Sequence, residues 1–494
     1  MRIVTVRMDA MSENVMRLRS ENIHQVVVGG RAYLLVVPHT ALFQLDDVSS
    51  AVLDYVKRHG AVRREQIFRD LASAHGLEAL QDVLGELASL GVIDTGQQNG
   101  HAADALPLGD RGTLTTLVLN VSNRCNMGCH YCYGGGFQDL QSGQKMSWPV
   151  AKRSVDFLLQ RSGSHRKVTL VFFGGEPLLN FELIKRIVPY ARNQAAERGL
   201  LVDFTITTNG TGLTGEVIDF LKRHRFGVTV SLDGPKEIHD RRRVFKNGRG
   251  TYEVILPRIR ALLNEYRDRP IGARVTLTRG VTAVGEIFAH LIDLGFAEVG
   301  FSPVTSGPSQ SYTLTEAELE HIFAEFQELA EQFLEKALND EYLGFSNVSQ
   351  IITDFARGTS KTLPCGAGLG LLDVDHNGDI YLCHRFAGTP GVAPLGNVGN
   401  GGPHFVRIRT FLNAAQTTRQ TACHQCWIRR MCAGGCYHEA LSRYGDPFHP
   451  NLHYCDLLRQ WMETGLRIYL EIMQKNPDFI SKYLEPRRVD YETL

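Results

Sequence analysis

Apolar and polar positions in residues 23–90 first follow a strand pattern and then a helical one. The β-branched runs on either side of Gly29 and Gly30 predict a β-hairpin, because such a dipeptide suits a tight turn. Apolar residues then recur at helical spacing, which predicts helices near 47–58, 63–74 and 77–90. The combination indicates a small winged-helix-like domain. Such modules commonly bind DNA or dimerise, but these helices have no Lys/Arg stripe, which argues against DNA.

Strand and helix patterns alternate six times between residue 116 and residue 304. The predicted strands are 116–121, 168–173, 202–207, 227–232, 271–277 and 298–303, with helices near 149–161, 181–197, 215–224, 252–266 and 283–294. Repeated strand–helix units predict parallel strands with helices outside them. Six units are too few for an eight-stranded barrel, so the predicted α/β fold is an open, partial (β/α)6 barrel. Its site is expected at the C-terminal ends of the strands.

Changes in composition divide the chain into six segments. The winged-helix-like domain takes residues 1–95, and a Gly/Ala/Gln-rich stretch without periodicity predicts a linker over 96–113. The α/β core follows over 114–312, and a charged helix that begins near Thr315 introduces a helical bridge over 313–363. A cysteine-rich domain is predicted over 364–456, and an amphipathic helix with a charged tail over 457–494.

Charge and hydropathy exclude several function classes. The 53 basic and 53 acidic residues cancel, so no global field favours nucleic acid or an anionic membrane. No apolar stretch is long enough to span a bilayer, and the N-terminus lacks the apolar centre of a signal peptide. We therefore expect a cytoplasmic protein without a nucleic-acid or membrane partner. Ten cysteines in such a protein indicate metal or redox chemistry rather than disulfides.

Three of the cysteines lie on one loop after the first strand of the core. Cys125, Cys129 and Cys132 have the spacing C-x3-C-x2-C, and glycines surround them. Three thiolates this close can bind an iron–sulfur cluster and leave one iron free for an outside ligand. They can equally form part of a zinc site that His130 or a distant cysteine completes. The spacing alone does not choose between these two metals.

The loop resembles the signature of the radical S-adenosyl-L-methionine (SAM) enzymes, in which an aromatic residue, here Tyr131, precedes the last cysteine. The resemblance implies a radical SAM core with a [4Fe–4S] cluster on Cys125, Cys129 and Cys132. In that family the free iron chelates the amine and carboxylate of SAM, and reductive cleavage gives a 5′-deoxyadenosyl radical.

Polar motifs at the ends of later strands extend the resemblance. The family's GGE motif, which contacts the SAM amino group, matches Gly174, Gly175, Glu176 and Pro177. The resemblance also suggests Tyr131, Asn209, Ser231 and Arg274 as SAM contacts. Any of these polar residues could instead form a turn, the commonest role of Asn, Ser and Asp at strand ends. The basic run 236–249 is typical of a solvated face. It also resembles a loop that borders the active site, where it could hold an acidic peptide.

The other seven cysteines form an array at 365–455. Taken alone, its CxxC-like pairs are more typical of zinc. The whole array, including Gly378, resembles the SPASM domain, which binds two auxiliary clusters. The resemblance implies three [4Fe–4S] clusters in all. It assigns Cys365, Cys383 and Cys436 to auxiliary cluster I, and Cys423, Cys426, Cys432 and Cys455 to auxiliary cluster II. Cluster I is then one ligand short, and a substrate thiolate, His384 or water could fill that position.

Together these segments resemble peptide-modifying radical SAM enzymes with an N-terminal precursor-peptide recognition domain. The run from Cys365 to Phe386 most resembles thioether-forming maturases, near the SCIFF-type ranthipeptide maturases. The implied partners are a cysteine-rich precursor peptide or small subunit and an electron donor such as flavodoxin or ferredoxin. His384 and Asp233 are the candidate catalytic residues. The alternatives are a formylglycine-generating sulfatase maturase, a carbon–carbon crosslinking or decarboxylating maturase, and a non-catalytic zinc-binding interaction protein.

Overall fold

The computed structural model describes residues 15–95, 113–133, 143–307, 309 and 311–485. All but the last residue of the predicted linker, and residues 486–494 of the predicted tail, lie outside this part of the chain.

The N-terminal segment contains two small antiparallel sheets and three helices. Its elements are β1 (Val15–Leu18), β2 (Ile23–Val28), β3 (Arg31–Val36), β4 (Ala41–Gln44), α1 (Asp47–His59), β5 (Ala61–Arg63), α2 (Arg64–His75), α3 (Leu77–Ser89) and β6 (Ile93–Asp94). The strands pair in the orders β2–β3–β4 and β5–β1–β6. The predicted hairpin is confirmed, and both turn glycines have positive φ, +58° at Gly29 and +75° at Gly30. The three predicted helices are confirmed as well.

Six parallel strands form the centre of the molecule in the order in which they follow along the chain. They are β7 (Thr116–Ser122), β8 (Lys167–Gly174), β9 (Leu201–Thr208), β10 (Gly227–Ser231), β11 (Ile271–Leu277) and β12 (Glu298–Pro303). The helices between them are α4 (Trp148–Gln160), α5 (Phe181–Ala196), α6 (Gly215–Arg223), α7 (Lys236–His239), α8 (Tyr252–Glu265) and α9 (Val284–Asp293). Every predicted strand and helix of this core is confirmed to within one residue at each end. The predicted partial barrel is correct, and the short α7 is an addition.

The cysteine-rich segment continues the central sheet, which the sequence did not predict. Strand β13 (Leu371–Val374) pairs in parallel with β7, and β14 (Asp379–Tyr381), β15 (Gly396–Asn397) and β16 (Gly402–Pro403) extend the sheet to ten strands. Asn120 Nδ2 donates to both carboxylate oxygens of the fully buried Asp373, at 2.9 and 2.8 Å. This contact fastens the cysteine-rich segment to the strand that precedes the Cys125 loop.

The remaining helices cover one side of the barrel and complete the cysteine-rich segment. They are α10 (Glu316–Leu338), α11 (Ser346–Ala356), α12 (Phe405–Cys423), α13 (Arg429–Cys432), α14 (Tyr437–Tyr444) and α15 (Cys455–Lys475). The predicted start of α10 is confirmed, because Thr315 and Glu318 form a reciprocal capping box. Phe326 on α10, Phe345 immediately before α11 and Trp461 on α15 contact one another, with ring centroids 5.6–5.9 Å apart. None of the described helices has the length and hydropathy of a membrane-spanning segment.

Candidate active site

The Cys125 loop leaves the C-terminal end of β7 and is held by backbone bonds to the basic run 236–249. The Gly128 amide donates to the Val244 carbonyl at 2.8 Å, and the His130 amide donates to the Arg242 carbonyl at 3.0 Å. The run therefore forms the outer wall of the loop. The interpretation as a solvated face does not hold for Arg243, which is only 7% exposed.

Arg243 is buried because it pairs with Asp233 beneath the loop. Arg243 Nε donates to Asp233 Oδ2 at 2.7 Å, and the Tyr131 hydroxyl donates to the same oxygen at 2.6 Å. The other oxygen of Asp233 accepts a bond from the Thr276 amide at 2.9 Å. With both oxygens occupied, Asp233 positions the loop through Tyr131. It is not among the residues that line the cavity described below, which makes it a poor candidate for a catalytic acid or base.

Gly174 and Gly175 bring the end of β8 against the first residues of the loop. A Cβ atom at Gly174, where φ is +133°, would lie 2.2 Å from the Ser122 carbonyl oxygen. A Cβ at Gly175 would lie 2.5 Å from the Arg124 carbonyl oxygen. Both contacts are backbone contacts that cannot move aside, so only glycine fits at either position. The GG pair thus sets the position of the cysteine loop.

Glu176 places a carboxylate in a buried, polar pocket. Its Oε1 accepts bonds from Thr208 Oγ1 at 2.7 Å and from the Leu178 amide at 3.1 Å, and its Oε2 accepts one from the Asn209 amide at 2.8 Å. Burial raises the pKa of Glu176 to about 7, which the three donated bonds only partly oppose. No described basic side chain forms an ion pair with it. Such a carboxylate is suited to an ammonium ligand.

A cavity of about 920 Å³ opens at the C-terminal ends of the central strands. The predicted site residues that line it are Cys125, Cys129, Tyr131, Cys132, Gly174, Gly175, Glu176, Asn209, Ser231, Arg274 and His384. Pro177 does not line the cavity; it is buried at the start of a short 3-10 turn. The cavity therefore lies at the C-terminal ends of the strands, where the sequence analysis expects the site. Of the GGEP motif, Pro177 lies behind the cavity wall.

Three polar residues predicted to contact SAM differ in how many hydrogen bonds their side chains already make within the protein. Asn209 Nδ2 donates to Asn126 Oδ1 at 3.1 Å and lies 3.8 Å from Cys125 Sγ, while its Oδ1 accepts two bonds from Thr211. Asn209 thus braces the cysteine loop. Ser231 faces the cavity from β10, and Arg274 faces it from β11 while donating to Ser302 Oγ. These two side chains are better placed than Asn209 to meet a ligand.

Comparison with known proteins agrees with this geometry. Residues 119–292 match the model of the Radical SAM superfamily. This segment is similar to a radical SAM domain. An uncharacterised protein of Methanocaldococcus jannaschii, MJ0907, is 28% identical over 285 residues, which cover 58% of this chain and 88% of that protein. The serine-type anaerobic sulfatase-maturating enzyme of Bacteroides thetaiotaomicron is 25% identical, over 73% of this chain and 91% of the enzyme.

A solved structure has the same fold over most of the chain. Native anSMEcpe with bound AdoMet and Cp18Cys peptide superposes with a TM-score of 0.62 at 20% identity, over 73% of this chain and 99% of that one. The α/β radical SAM fold with a partial-barrel central sheet is therefore shared. At this identity the likeness concerns the fold alone.

The radical SAM domain implies a [4Fe–4S] cluster and SAM, and the residues present fit both. Three thiols on one loop face the cavity, and a buried carboxylate without a described cationic partner lies on the next strand end. Burial raises the pKa of Cys125 to about 11 and that of Cys129 to about 12, so both thiols must release protons when iron binds. Cys125, Cys129 and Cys132 would hold the cluster, and Glu176 would bind the amino group of SAM.

The seven other cysteines gather in two groups beside the radical SAM domain. Burial raises the pKa of Cys365 and Cys383, and Cys436 lies near enough to both thiols for its charge to raise their pKa further. In the same way, burial and the charges of Cys423, Cys426 and Cys455 raise the pKa of Cys432. The structure thus brings together the two sets that the SPASM resemblance implied. That they bind auxiliary clusters stays a prediction.

Among the described residues, no group of three or more His, Cys, Asp or Glu side chains is close enough to hold a metal ion. Zinc at the cysteine array stays a prediction, as the auxiliary clusters do.

Side chains next to the first of these groups form the far wall of the cavity. His384 follows Cys383, and its ring lies 4.4 Å from that of Phe173. Burial, with a further contribution from Arg385, lowers the pKa of His384 to about 4, so the imidazole is neutral at pH 7. Arg385 Nη1 donates to Cys436 Sγ at 3.5 Å, and its guanidinium lies 5.6 Å from the centre of the Tyr133 ring. His384 and Arg385 thus stand between the cavity and the thiols.

The cavity also contains ionisable residues that the sequence analysis missed. Glu439 and His438 lie on α14 immediately after Cys436, and both line the wall. Burial raises the pKa of Glu439 to about 7 and lowers that of His438 to about 3. The one sequence signal for these residues is that they follow the predicted cluster ligand Cys436, by two residues for His438 and by three for Glu439.

Proposed function

We propose that this chain is a radical SAM enzyme that modifies a ribosomally made peptide or small protein subunit, forming thioethers between cysteine sulfur and a carbon of another residue. One observation supports the proposal most strongly. A single cavity is lined by the thiols of Cys125, Cys129 and Cys132 on one side and by His384 and Arg385, next to a second thiol group, on the other. A substrate side chain in this cavity would lie between the two predicted redox groups.

The residues of the cavity have distinct tasks in this proposal. When bound, the cluster and SAM supply the 5′-deoxyadenosyl radical that removes a hydrogen atom from the substrate. Glu176 would bind the ammonium of SAM, and Arg274, which lines the same cavity, would meet its carboxylate. Tyr131, held by Asp233, fixes the loop. His384 lines the cavity and is the candidate catalytic residue nearest the second thiol group.

We infer that the N-terminal segment recognises the precursor peptide. Its β2 edge is covered by α15, since Gln474 Nε2 donates to the Val28 carbonyl at 3.1 Å. On the other side of the sheet, β4 has no strand partner beyond β3 among the described residues. An edge of this kind can accept a peptide by strand addition. Strand β4 therefore offers the predicted precursor-peptide domain an edge for a peptide.

The same segment contacts the loop of the second cysteine group directly. The His24 ring stacks on Trp427 with centroids 3.9 Å apart and planes 6° apart. Arg429 Nη2 donates to Asn22 Oδ1 at 2.7 Å. Trp427 follows Cys426, so peptide recognition and the predicted auxiliary cluster II share an interface.

The resemblance of the segment from Cys365 to Phe386 suggests a specific substrate class. Within the thioether-forming group it points to the maturase of the small (gamma) subunit of quinohemoprotein amine dehydrogenase, in which cysteines are joined to Asp or Glu carbons. The sulfatase-maturating relative supports radical modification of a protein in general. The thioether product rests on the resemblance and on the cavity between the thiol groups.

A sulfatase maturase is the second candidate, because the serine-type enzyme matches 73% of this chain. That subfamily has an Asp base after the second auxiliary cysteine, where this chain has His384. The N-terminal segment would also have no task in that reaction. Carbon–carbon crosslinking or decarboxylation would use the same cavity without a substrate thiol.

Anaerobic reconstitution with iron, sulfide, SAM and dithionite tests the proposal, with mass spectrometry of a cysteine-rich peptide encoded beside the gene. The expected product lacks two hydrogen atoms per crosslink and resists thiol alkylation. A parallel reaction with a sulfatase peptide tests for formylglycine. Deoxyadenosine without any change in the cysteine-rich peptide would contradict the thioether assignment.

A further inference from the structure

A second, smaller cavity of about 450 Å³ reaches Cys125. It is lined by Arg124, Cys125, Asn126, Lys145, Leu179 and Lys246. Cys125 also lines the large cavity, whereas Cys129 and Cys132 line the large cavity alone. One predicted cluster ligand is thus reached from two directions, and we call the smaller cavity the basic recess.

The basic recess draws its three cations from three separate segments. Arg124 belongs to the cysteine loop, Lys145 precedes α4, and Lys246 belongs to the run 236–249. All three residues are exposed, and no acidic side chain is among the described residues that line the recess. The chain as a whole has zero net charge, so this concentration of positive charge is local.

Backbone contacts hold each of the three residues in place. The Arg124 carbonyl accepts a bond from the Glu176 amide at 3.0 Å. Lys145 forms a β-bridge with Ser122. Lys246 packs its Cα against Gly128, where a Cβ would lie 3.5 Å away. Backbone anchoring keeps these exposed charges around a predicted cluster ligand, where charge complementarity can steer a protein partner.

We propose that the basic recess is the docking surface for an acidic one-electron donor protein of the flavodoxin or ferredoxin class. The inference rests on the proposed function, because it assumes a cluster at Cys125, Cys129 and Cys132. Docking brings the donor next to Cys125 without passing through the cavity that holds SAM and peptide. One electron leaves the reduced donor and enters the cluster, and the donor is oxidised by one electron. Electron-transfer interfaces are small and charge-dependent, which fits a patch of three cations.

The test uses the reconstituted full-length enzyme with a purified acidic flavodoxin. The variant is Lys145→Glu/Lys246→Glu, and the matched control is Lys57→Glu/Arg58→Glu, the same charge change at two exposed residues of α1. Binding is measured by titration at low and high salt, and deoxyadenosine formation is measured with reduced flavodoxin and, separately, with dithionite. We expect flavodoxin to bind the recess variant about ten-fold more weakly at low salt, with a smaller salt dependence. The control should bind as the wild type does.

The two reductants separate this inference from the proposed function. Dithionite-driven cleavage of SAM should be the same in the recess variant and the wild type, while flavodoxin-driven cleavage falls with the binding. Unchanged flavodoxin affinity would overturn the docking surface. The docking surface would also be overturned if the recess variant bound the precursor peptide more weakly than the wild type does with dithionite as the reductant. The recess would then belong to the peptide. A wild-type enzyme that forms no deoxyadenosine with dithionite would instead contradict the proposed function, and flavodoxin binding would still test the recess.

Discussion

Asp233 and Arg243 form a buried ion pair directly beneath the predicted cluster loop, with Arg243 Nε 2.7 Å from Asp233 Oδ2. Asp233 is 2% exposed and Arg243 7% exposed. Because the Tyr131 hydroxyl donates to the same carboxylate oxygen, the pair fixes the residue that precedes Cys132. A surface-like basic run thus supplies the internal support of the site.

Removing Arg243 should be strongly destabilising. Arg243→Ala leaves the Asp233 carboxylate buried without its cation, and breaking a buried pair in this way costs about 3–5 kcal/mol. Urea unfolding of the variant should show the loss, and iron retention on the Cys125 loop should fall with it. Arg241→Ala is the matched control, since Arg241 is exposed and donates to the Gly280 carbonyl. Equal stability of the two variants would show that the pair does not support the loop.

The central strands could be predicted because each has a strong local pattern. A run such as 168–173 is apolar and β-branched, and it is bounded by helices of clear periodicity. Strand β13 has four residues, and its partner β7 lies some 250 positions earlier, so no local signal identifies the pairing. Its anchor, Asp373 against Asn120, became apparent only in the fold.

Sequence motifs indicated the candidate site residues whose residue type and spacing both point to one chemistry. They did not indicate the residues whose role depends on burial. Cys125 and Glu176 could be located because their motifs follow strands. Arg243 was misjudged because charge runs are usually solvated. The one sequence signal for Glu439 is its place three residues after Cys436, and only its burial beside the cavity raises its pKa. Burial is a property of the packed chain and has no sequence motif.

SAM binding should release protons near neutral pH through Glu176. Burial raises its pKa to about 7, so the group favours folding fully below pH 4.5 and loses that contribution as the pH rises through 7. An ammonium ligand lowers this pKa again, and at pH 7 binding should release roughly half a proton. Calorimetry in buffers of different ionisation enthalpy measures the release. The Glu176→Gln variant should bind SAM more weakly and should release no proton on binding. If the variant releases as many protons as the wild type does, the released proton comes from another group.

Iron content should follow the three cysteine groups. The reconstituted chain should contain about twelve irons, four for each cubane. Cys125→Ala/Cys129→Ala/Cys132→Ala should lower this to about eight and abolish SAM cleavage. Cys423→Ala/Cys426→Ala should also lower it to about eight but leave SAM cleavage in place. Iron and sulfide analysis with deoxyadenosine measurement checks each value. Stoichiometric zinc in place of iron would support the non-catalytic alternative.

The open edge of β4 should be needed for peptide binding. The Leu45 amide donates to the Ala32 carbonyl, so by strand alternation the Gln44 amide points away from β3. Gln44→Pro removes this outward donor without breaking the ladder, because proline is tolerated at such a position on an edge strand. Peptide affinity, measured by fluorescence anisotropy, should fall about ten-fold, a loss of about 1.4 kcal/mol that fits one or two backbone hydrogen bonds. Gln44→Ala keeps the amide and should bind as the wild type does, while SAM cleavage without peptide should be equal in all three proteins. If Gln44→Pro binds the peptide normally, the peptide does not add to β4, and the recognition surface lies on another face of the N-terminal segment.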